Sequence, residues 1–120
     1  MELVVMSFFP IKKDNQKLVG TASFKVIDEG WVLNDALLVK KDEGTVFFTP
    51  PSNTYKDKQG KTQYRKKWNI TENKEYTFEQ RMEEFQYKAK REVLDFCDHN
   101  EITPPVDLVL DVQREDEAQS

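Results

Sequence analysis

The chain has 120 residues, 38% of them hydrophobic and 33% charged, with a net charge of −4 at pH 7. This length predicts one domain with one core and argues against a largely disordered chain. The single cysteine, Cys97, excludes an intramolecular disulfide and fits a reducing cytoplasm, where we expect the protein. The apolar N-terminus lacks the basic region of a signal peptide, and no run approaches the roughly 18 apolar residues that span a bilayer, so no membrane association is expected.

The first 70 residues predict an antiparallel meander of five strands. Apolar runs or alternating apolar and polar residues occupy residues 2–9, 18–27, 31–39, 45–49 and 62–70. Glycines at positions 30 and 44 suit the turns between neighbouring strands, and Pro50 and Pro51 end the fourth strand because proline cannot donate to a ladder. Residues 55–61 are interpreted as a long polar loop.

The next segment predicts an amphipathic helix. Its apolar residues recur every three or four positions and share one helical face: Phe78, Met82, Phe85, Ala89, Val93 and Phe96. Thr77 and Gln80 have the spacing of a capping box, and the helix is expected to end at residues 98–100. The fold class is therefore α+β, with an antiparallel meander sheet of about five strands followed by a C-terminal amphipathic helix.

Residues 1–100 are assigned to this α+β domain and residues 101–120 to a C-terminal extension with an acidic tail. Residues 106–112 are compatible with either a short strand or a helix, and residues 114–120 are predicted to be disordered. Residues 107–117 have a local net charge of −4 because one arginine stands among five acids: Asp107, Asp111, Glu115, Asp116 and Glu117. One hypothesis is that this tail covers the basic loop at residues 56–67 as a phosphate mimic.

Catalytic and metal sites find little support in the sequence. Cys97 and His99 are two residues apart on a helix and point to different sides, whereas a nucleophilic pair must converge. No set of four spaced ligands suggests structural zinc, and the scattered glycines form no phosphate-binding loop, so we expect no enzyme activity and no cofactor. Asp35 stands in an apolar strand and is interpreted as a water-facing or turn residue, with a site or interface carboxylate as the alternative.

A cluster of cations between residues 56 and 67 is the candidate binding site. Six cations and one anion give this stretch a net charge of +5. Lysine and arginine neutralise phosphates, and aromatic rings stack on unpaired bases. We therefore predict nucleic-acid contacts by Lys56, Lys58, Lys61, Tyr64, Arg65, Lys66, Lys67 and Trp68. Arg65, Lys66 and Lys67 are expected to hold phosphate, and the other lysines to form a mobile electrostatic fringe.

Strand alternation would place Arg65 and Lys67 on one face and Lys66 and Trp68 on the other. The alternative function is a protein-interaction module. In that case the aromatic hairpin docks on a protein partner and the lysines maintain solubility.

Four segments, taken in order, resemble the SpoVG (stage V sporulation protein G) septation-protein family. They are a strand with small residues at its centre (LVGTASF, 18–24), a strand with an Asp before its last apolar residues (WVLNDALLV, 31–39), a Gly-led strand ending in Pro-Ser (GTVFFTPPS, 44–52), and a return strand with Tyr64-Arg65 after Gly60. The resemblance covers residues 3–97. Asn53-Thr54 stand where the family has cations, which is typical of a divergent or phage-borne member.

This resemblance implies a small α+β homodimer whose sheet pairs across the subunit boundary. It also implies DNA and RNA binding with weak sequence preference in bacterial gene regulation, including septation and sporulation. Pro51-Ser52 would correspond to the family's Pro-Ser, and Arg65 to its arginine after the aromatic residue.

Overall fold

A computed structural model describes residues 1–11, 17–50, 52–56, 58–60, 62–66 and 75–119, with residues 52–56 and 62–66 described by their backbone. Six strands precede two helices, which confirms the predicted α+β class. The elements are β1 (Leu3–Pro10), β2 (Leu18–Val26), β3 (Trp31–Lys40), β4 (Val46–Thr49), β5 (Ser52–Lys56), β6 (Thr62–Lys66), α1 (Phe78–His99) and α2 (Val106–Ala118).

The strands form two sheets and not the single five-stranded meander that the sequence predicts. β1 to β4 make a four-stranded antiparallel sheet in chain order, whereas β5 and β6 pair only with each other. The β3–β4 ladder ends at Thr49, next to the buried Pro50, which has no backbone N–H to continue it. The predicted fifth strand therefore pairs with Ser52–Lys56, part of which the sequence assigned to a loop.

Two β-bulges flank Ser23 in the middle of the four-stranded sheet. In β1 the register shifts between Val5 and Ser7, which makes Met6 the extra residue, and in β3 two residues, Asn34 and Asp35, lie opposite Ser23. Asp35 has a φ of 56°, and its backbone N–H donates a 3.0 Å hydrogen bond to Ser23 Oγ. Its exposed side chain confirms the water-facing interpretation.

The core lies between the sheet and α1, and three aromatic rings mark its centre. The Phe24 ring centroid lies 5.1 Å from that of Phe48 and 5.5 Å from that of Phe85, both in edge-to-face geometry. Each of the three phenylalanines is at most 1% exposed to solvent. Strands β2 and β4 are thereby joined to α1 through one side chain.

Helix α1 has the predicted capping box, because Thr77 Oγ1 accepts from the Gln80 N–H and the Gln80 side chain accepts from the Thr77 N–H. It ends at His99, as expected. Its buried face differs from the predicted one at both ends: Phe78 is 39% exposed and Phe96 only half-buried, whereas Cys97 is fully buried. The buried residues Phe85, Ala89, Val93 and Cys97 follow a spacing of four.

Helix α2 resolves the open question about residues 106–112 and shows that the predicted disorder was wrong for residues 114–118, because the helix continues to Ala118. Leu108 and Val112, four residues apart, are buried in the same core as the sheet. This apolar pair explains why an otherwise acidic segment is ordered.

Polar contacts fasten α2 to α1. Lys90 is 6% exposed, and its Nζ lies 2.8 Å from Asp111 Oδ2 and 2.7 Å from Glu115 Oε1. Arg91 bonds Glu115 and Asp116, and these hydrogen bonds raise the pKa of its guanidinium although partial burial opposes the shift. The buried ammonium of Lys90 is tolerated only while its carboxylate partners stay in place.

We predict that Phe24→Ala lowers the free energy of unfolding by about 3 to 5 kcal/mol, because it leaves a cavity between sheet and helix. Phe9→Ala is the matched control: Phe9 is 65% exposed on β1, and its truncation should change stability by less than about 0.5 kcal/mol. Urea unfolding followed by circular dichroism measures both. Equal losses in the two variants would contradict the assignment of Phe24 to the core.

We predict that Lys90→Met costs about 3 to 5 kcal/mol of stability, since it removes the ammonium 2.8 Å from the buried Asp111 carboxylate and leaves the half-exposed Arg114, 3.8 Å away, as a weaker counter-charge. The control Lys88→Met removes an exposed i,i+4 pair with Glu84 and should cost at most about 1 kcal/mol. Adding Asp111→Asn to Lys90→Met should recover part of the loss in the same urea assay. Failure of the second substitution to restore any stability would show that Lys90 acts by packing alone.

Candidate nucleic-acid interface

The predicted basic hairpin is present as a two-stranded antiparallel ribbon, β5–β6. Its register pairs Ser52 with Lys66, Thr54 with Tyr64, and Lys56 with Thr62. Residues 58–60 belong to the exposed turn between the strands, where Gly60 has a φ of 79° that favours glycine. The ribbon is formed by polar and charged residues of β5 and β6, SNTYK and TQYRK.

The structure brings four of the predicted binding residues onto the paired strands. Lys56 ends β5, and Tyr64, Arg65 and Lys66 lie on β6. Lys58 is exposed in the turn. The remaining three predicted residues, Lys61, Lys67 and Trp68, lie outside the described residues, as do positions 69–70 of the predicted fifth strand.

The register also sorts these residues between the two faces of the ribbon. Directly paired residues share a face and successive residues alternate, so Lys56, Tyr64 and Lys66 occupy positions on one face and Arg65 on the other. These positions combine cations with an aromatic residue, as surfaces that bind unpaired strands do. The sequence predicts Lys56 as a loop residue, and its place on strand β5 is what the sequence pattern missed.

The acidic C-terminal segment is engaged elsewhere. Asp107 Oδ1 lies 3.4 Å from Lys40 Nζ on β3, whereas Asp111 and Glu115 contact Lys90 and Asp116 contacts Arg91. These ion pairs join the four acids to α1 and to β3, and they fasten α2 to the domain.

A groove of about 580 Å³ beside β4 is a feature that the sequence did not reveal. Its floor is apolar, with Phe47, Met82 and Tyr87 among its lining residues. Lys41 Nζ lies 4.9 Å from the Phe47 ring centroid, and the Arg91 guanidinium lies 3.4 Å from that of Tyr87. Each stacked pair is local, since Lys41 and Phe47 belong to the β3–β4 hairpin and Tyr87 and Arg91 to one face of α1. The groove itself depends on the packing of α1 beside β4, which no local motif announces.

Cys97 and His99 lie in different environments at the end of α1. Cys97 is fully buried, and this burial raises the pKa of its thiol. His99 is exposed at the end of α1, where its Nδ1 lies 2.8 Å from the Asp95 carbonyl oxygen. Among the described residues, no three His, Cys, Asp or Glu side chains are grouped in a way that could hold a metal ion.

Neither helix in the described part of the chain is long and apolar enough to cross a membrane. The chain matches no protein-family model, no curated protein and no solved structure. The resemblance to the SpoVG family therefore remains a prediction that rests on the short motifs given above.

Proposed function

We propose that the chain is a cytoplasmic, non-enzymatic regulatory protein that binds DNA or RNA through ribbon β5–β6 with weak sequence preference. The observation that carries this proposal is the separation of the ribbon from the four-stranded sheet. Residues 56–67 have a net charge of +5 in a chain of net charge −4, and Lys56, Arg65 and Lys66 of this stretch lie on the two strands of the ribbon. Its phosphate contacts would release counterions, which is the main driving force for such binding.

In this proposal Arg65, Lys66 and Lys67 hold phosphates, and Lys56, Lys58 and Lys61 extend the positive field along the bound strand. Tyr64 and Trp68 supply stacking surfaces for bases, which tolerate any sequence because every base has a π face. The SpoVG resemblance supports this assignment because it predicts binding of both nucleic acids.

We predict that a fluorescent single-stranded oligonucleotide binds the protein and that the affinity falls steeply with salt. The double variant Arg65→Gln/Lys66→Gln should weaken binding and reduce the slope of log K against log salt by about 0.7 for each phosphate contact removed. Titrations by fluorescence anisotropy at several salt concentrations give both quantities.

Lys17→Gln/Lys25→Gln is the matched control, since it removes the same charge from two exposed lysines of the four-stranded sheet region. It should leave the affinity nearly unchanged. An equal loss in both double variants would mean that net charge and not the ribbon controls binding. No binding at low salt would contradict the nucleic-acid proposal and favour a protein partner for the ribbon.

The proposed protein is a homodimer that pairs through the β1 edge. The Ile27 N–H donates to the Glu2 carbonyl and the Ile11 N–H to the Val19 carbonyl. These two bonds fix which residues of β1 direct their backbone N–H and C=O groups toward β2. Alternation then turns the backbone groups of Leu3, Val5 and Phe8 outward, away from β2. Among the described residues, β2 is the only strand that pairs with β1. Such an edge is a template for a second copy.

We predict that Met6→Lys shifts the protein from dimer to monomer, because a lysine on an edge strand suppresses strand pairing. Met6 is 52% exposed at the β1 bulge, and the control Val32→Lys places the same charge on the 38% exposed Val32 of β3, away from the edge. Light scattering during size-exclusion chromatography measures the mass. Wild-type protein that is monomeric at every concentration would contradict the dimer.

A further inference from the structure

The two edges of the four-stranded sheet are treated differently. At the β4 edge the Lys41 N–H donates to the Thr45 carbonyl over 2.8 Å. The register then directs the backbone N–H and C=O groups of Thr45, Phe47 and Thr49 toward β3. Val46 and Phe48 then direct their backbone groups away from β3, to the position where another strand would pair. This edge would be as open as that of β1 if nothing covered it.

Gln86 of α1 covers the Phe48 position completely. Its Oε1 accepts from the Phe48 N–H at 2.7 Å, and its Nε2 donates to the Phe48 carbonyl at 2.7 Å. One side-chain amide thus makes the same donor and acceptor contacts that a residue of a neighbouring strand would make. No incoming strand can bond Phe48 while Gln86 stays in this position.

Helix α2 covers the next outward position along β4. Asp111 Oδ2 accepts a 3.2 Å hydrogen bond from the Val46 N–H, and Lys90 holds the same carboxylate oxygen from the other side. Arg114 Nη2 donates to the Gly44 carbonyl at 3.0 Å, which fixes α2 to the turn before β4. The contacts come from two helices that are distant in sequence from the strand, and both converge on its free edge.

An uncovered β4 would have a specific consequence for self-association. An open β1 on one copy could pair with an open β4 on the next, and this head-to-tail contact leaves a free edge at each end of the assembly unless a ring closes. Repetition of such a contact extends a sheet through many copies, whereas pairing of β1 with β1 uses the outer edge of β1 on both copies and ends at two chains.

We propose that Gln86 and Asp111 form an edge guard that keeps β4 from pairing with β1 of another copy and so limits self-association to the β1 edge. The inference uses the open β1 edge invoked in the proposed function, and it is independent of nucleic-acid binding. The edge guard is held in place by α1 and by the ion pairs of α2. Its loss converts a protein that stops at two chains into one that forms assemblies of no fixed size.

The test is Gln86→Met, which keeps the side-chain volume but removes both groups that bond Phe48. We expect a weight-average mass that rises with protein concentration beyond two 14.2 kDa chains. Gln113→Met, at an exposed position of α2, is the matched control and should keep the wild-type mass. Sedimentation velocity measures the mass distribution, and circular dichroism verifies that each variant retains the fold.

Adding Met6→Lys to Gln86→Met should abolish the large species, whereas adding Val32→Lys should not. Gln86→Glu, which retains an acceptor for the Phe48 N–H and loses only the donor, should give a smaller effect and provides a second variant if Gln86→Met does not fold. A folded Gln86→Met or Gln86→Glu protein with the wild-type mass at all concentrations would overturn the guard. Large species that both lysines suppress equally, or neither does, would also overturn it.

The wild-type mass reports the dimer, and the change caused by Gln86→Met reports the guard. A monomeric wild type that assembles on loss of Gln86 therefore overturns the dimer and supports the guard.

Discussion

The packing of Phe24 against Phe48 and Phe85 is the contact on which the rest of the structure depends. It holds α1 across the sheet, and the position of α1 decides where Gln86 meets β4 and where Lys90 meets α2. A shift of α1 by one turn would move Gln86 about 5 Å along the helix axis and away from Phe48. The polar contacts at the edge of the sheet are therefore a consequence of an apolar contact at its centre.

The charges of the chain are divided between two structural roles. Charged residues of α1 and α2 are paired with one another at a buried or half-buried interface. There the ion pair of Lys90 with Asp111 specifies how α2 docks on α1. Residues 56–67 hold six cations and one anion, and Lys56, Arg65 and Lys66 of this stretch lie on strands outside the four-stranded sheet. The net charge of the whole protein conceals this division, and only the distribution suggests a binding role.

Local patterns predicted the local parts of the structure. The Thr77–Gln80 capping box and the alternation of β2 depend on neighbouring residues. The box is present as expected, whereas the alternation holds for Ala22, Phe24 and Val26 against the exposed Lys25 but fails at Ser23, which is buried. Strand β5 was missed because Ser52–Lys56 is polar and becomes a strand only by pairing with β6. Helix α2 was undecided because one apolar pair, Leu108 and Val112, carries its packing, and its buried carboxylate depends on Lys90, 21 residues earlier.

The same limit applies to the candidate site. The cations of the ribbon were visible in the sequence, whereas the register that joins Lys56 with the face of Tyr64 and Lys66 required the pairing of β5 with β6. The bonds from Gln86 to Phe48 span 38 residues, and a glutamine on a helix has no sequence feature that distinguishes an edge cover from a solvated side chain.

The two bulges beside Ser23 determine which changes of length the sheet can accept. Each extra residue, one in β1 and one in β3, resets the alternation so that the apolar residues on both sides of it face the core. Loss of one residue at Met6 or Asp35 would turn half of a strand over and carry Phe8, or Ala36 and Leu38, to the outer face. Substitutions at the exposed Met6 are compatible with the fold, and those at Asp35 are compatible where the new residue tolerates its φ of 56°. Single-residue deletions are not, so the length of each strand is more constrained than the identity of its bulged residue.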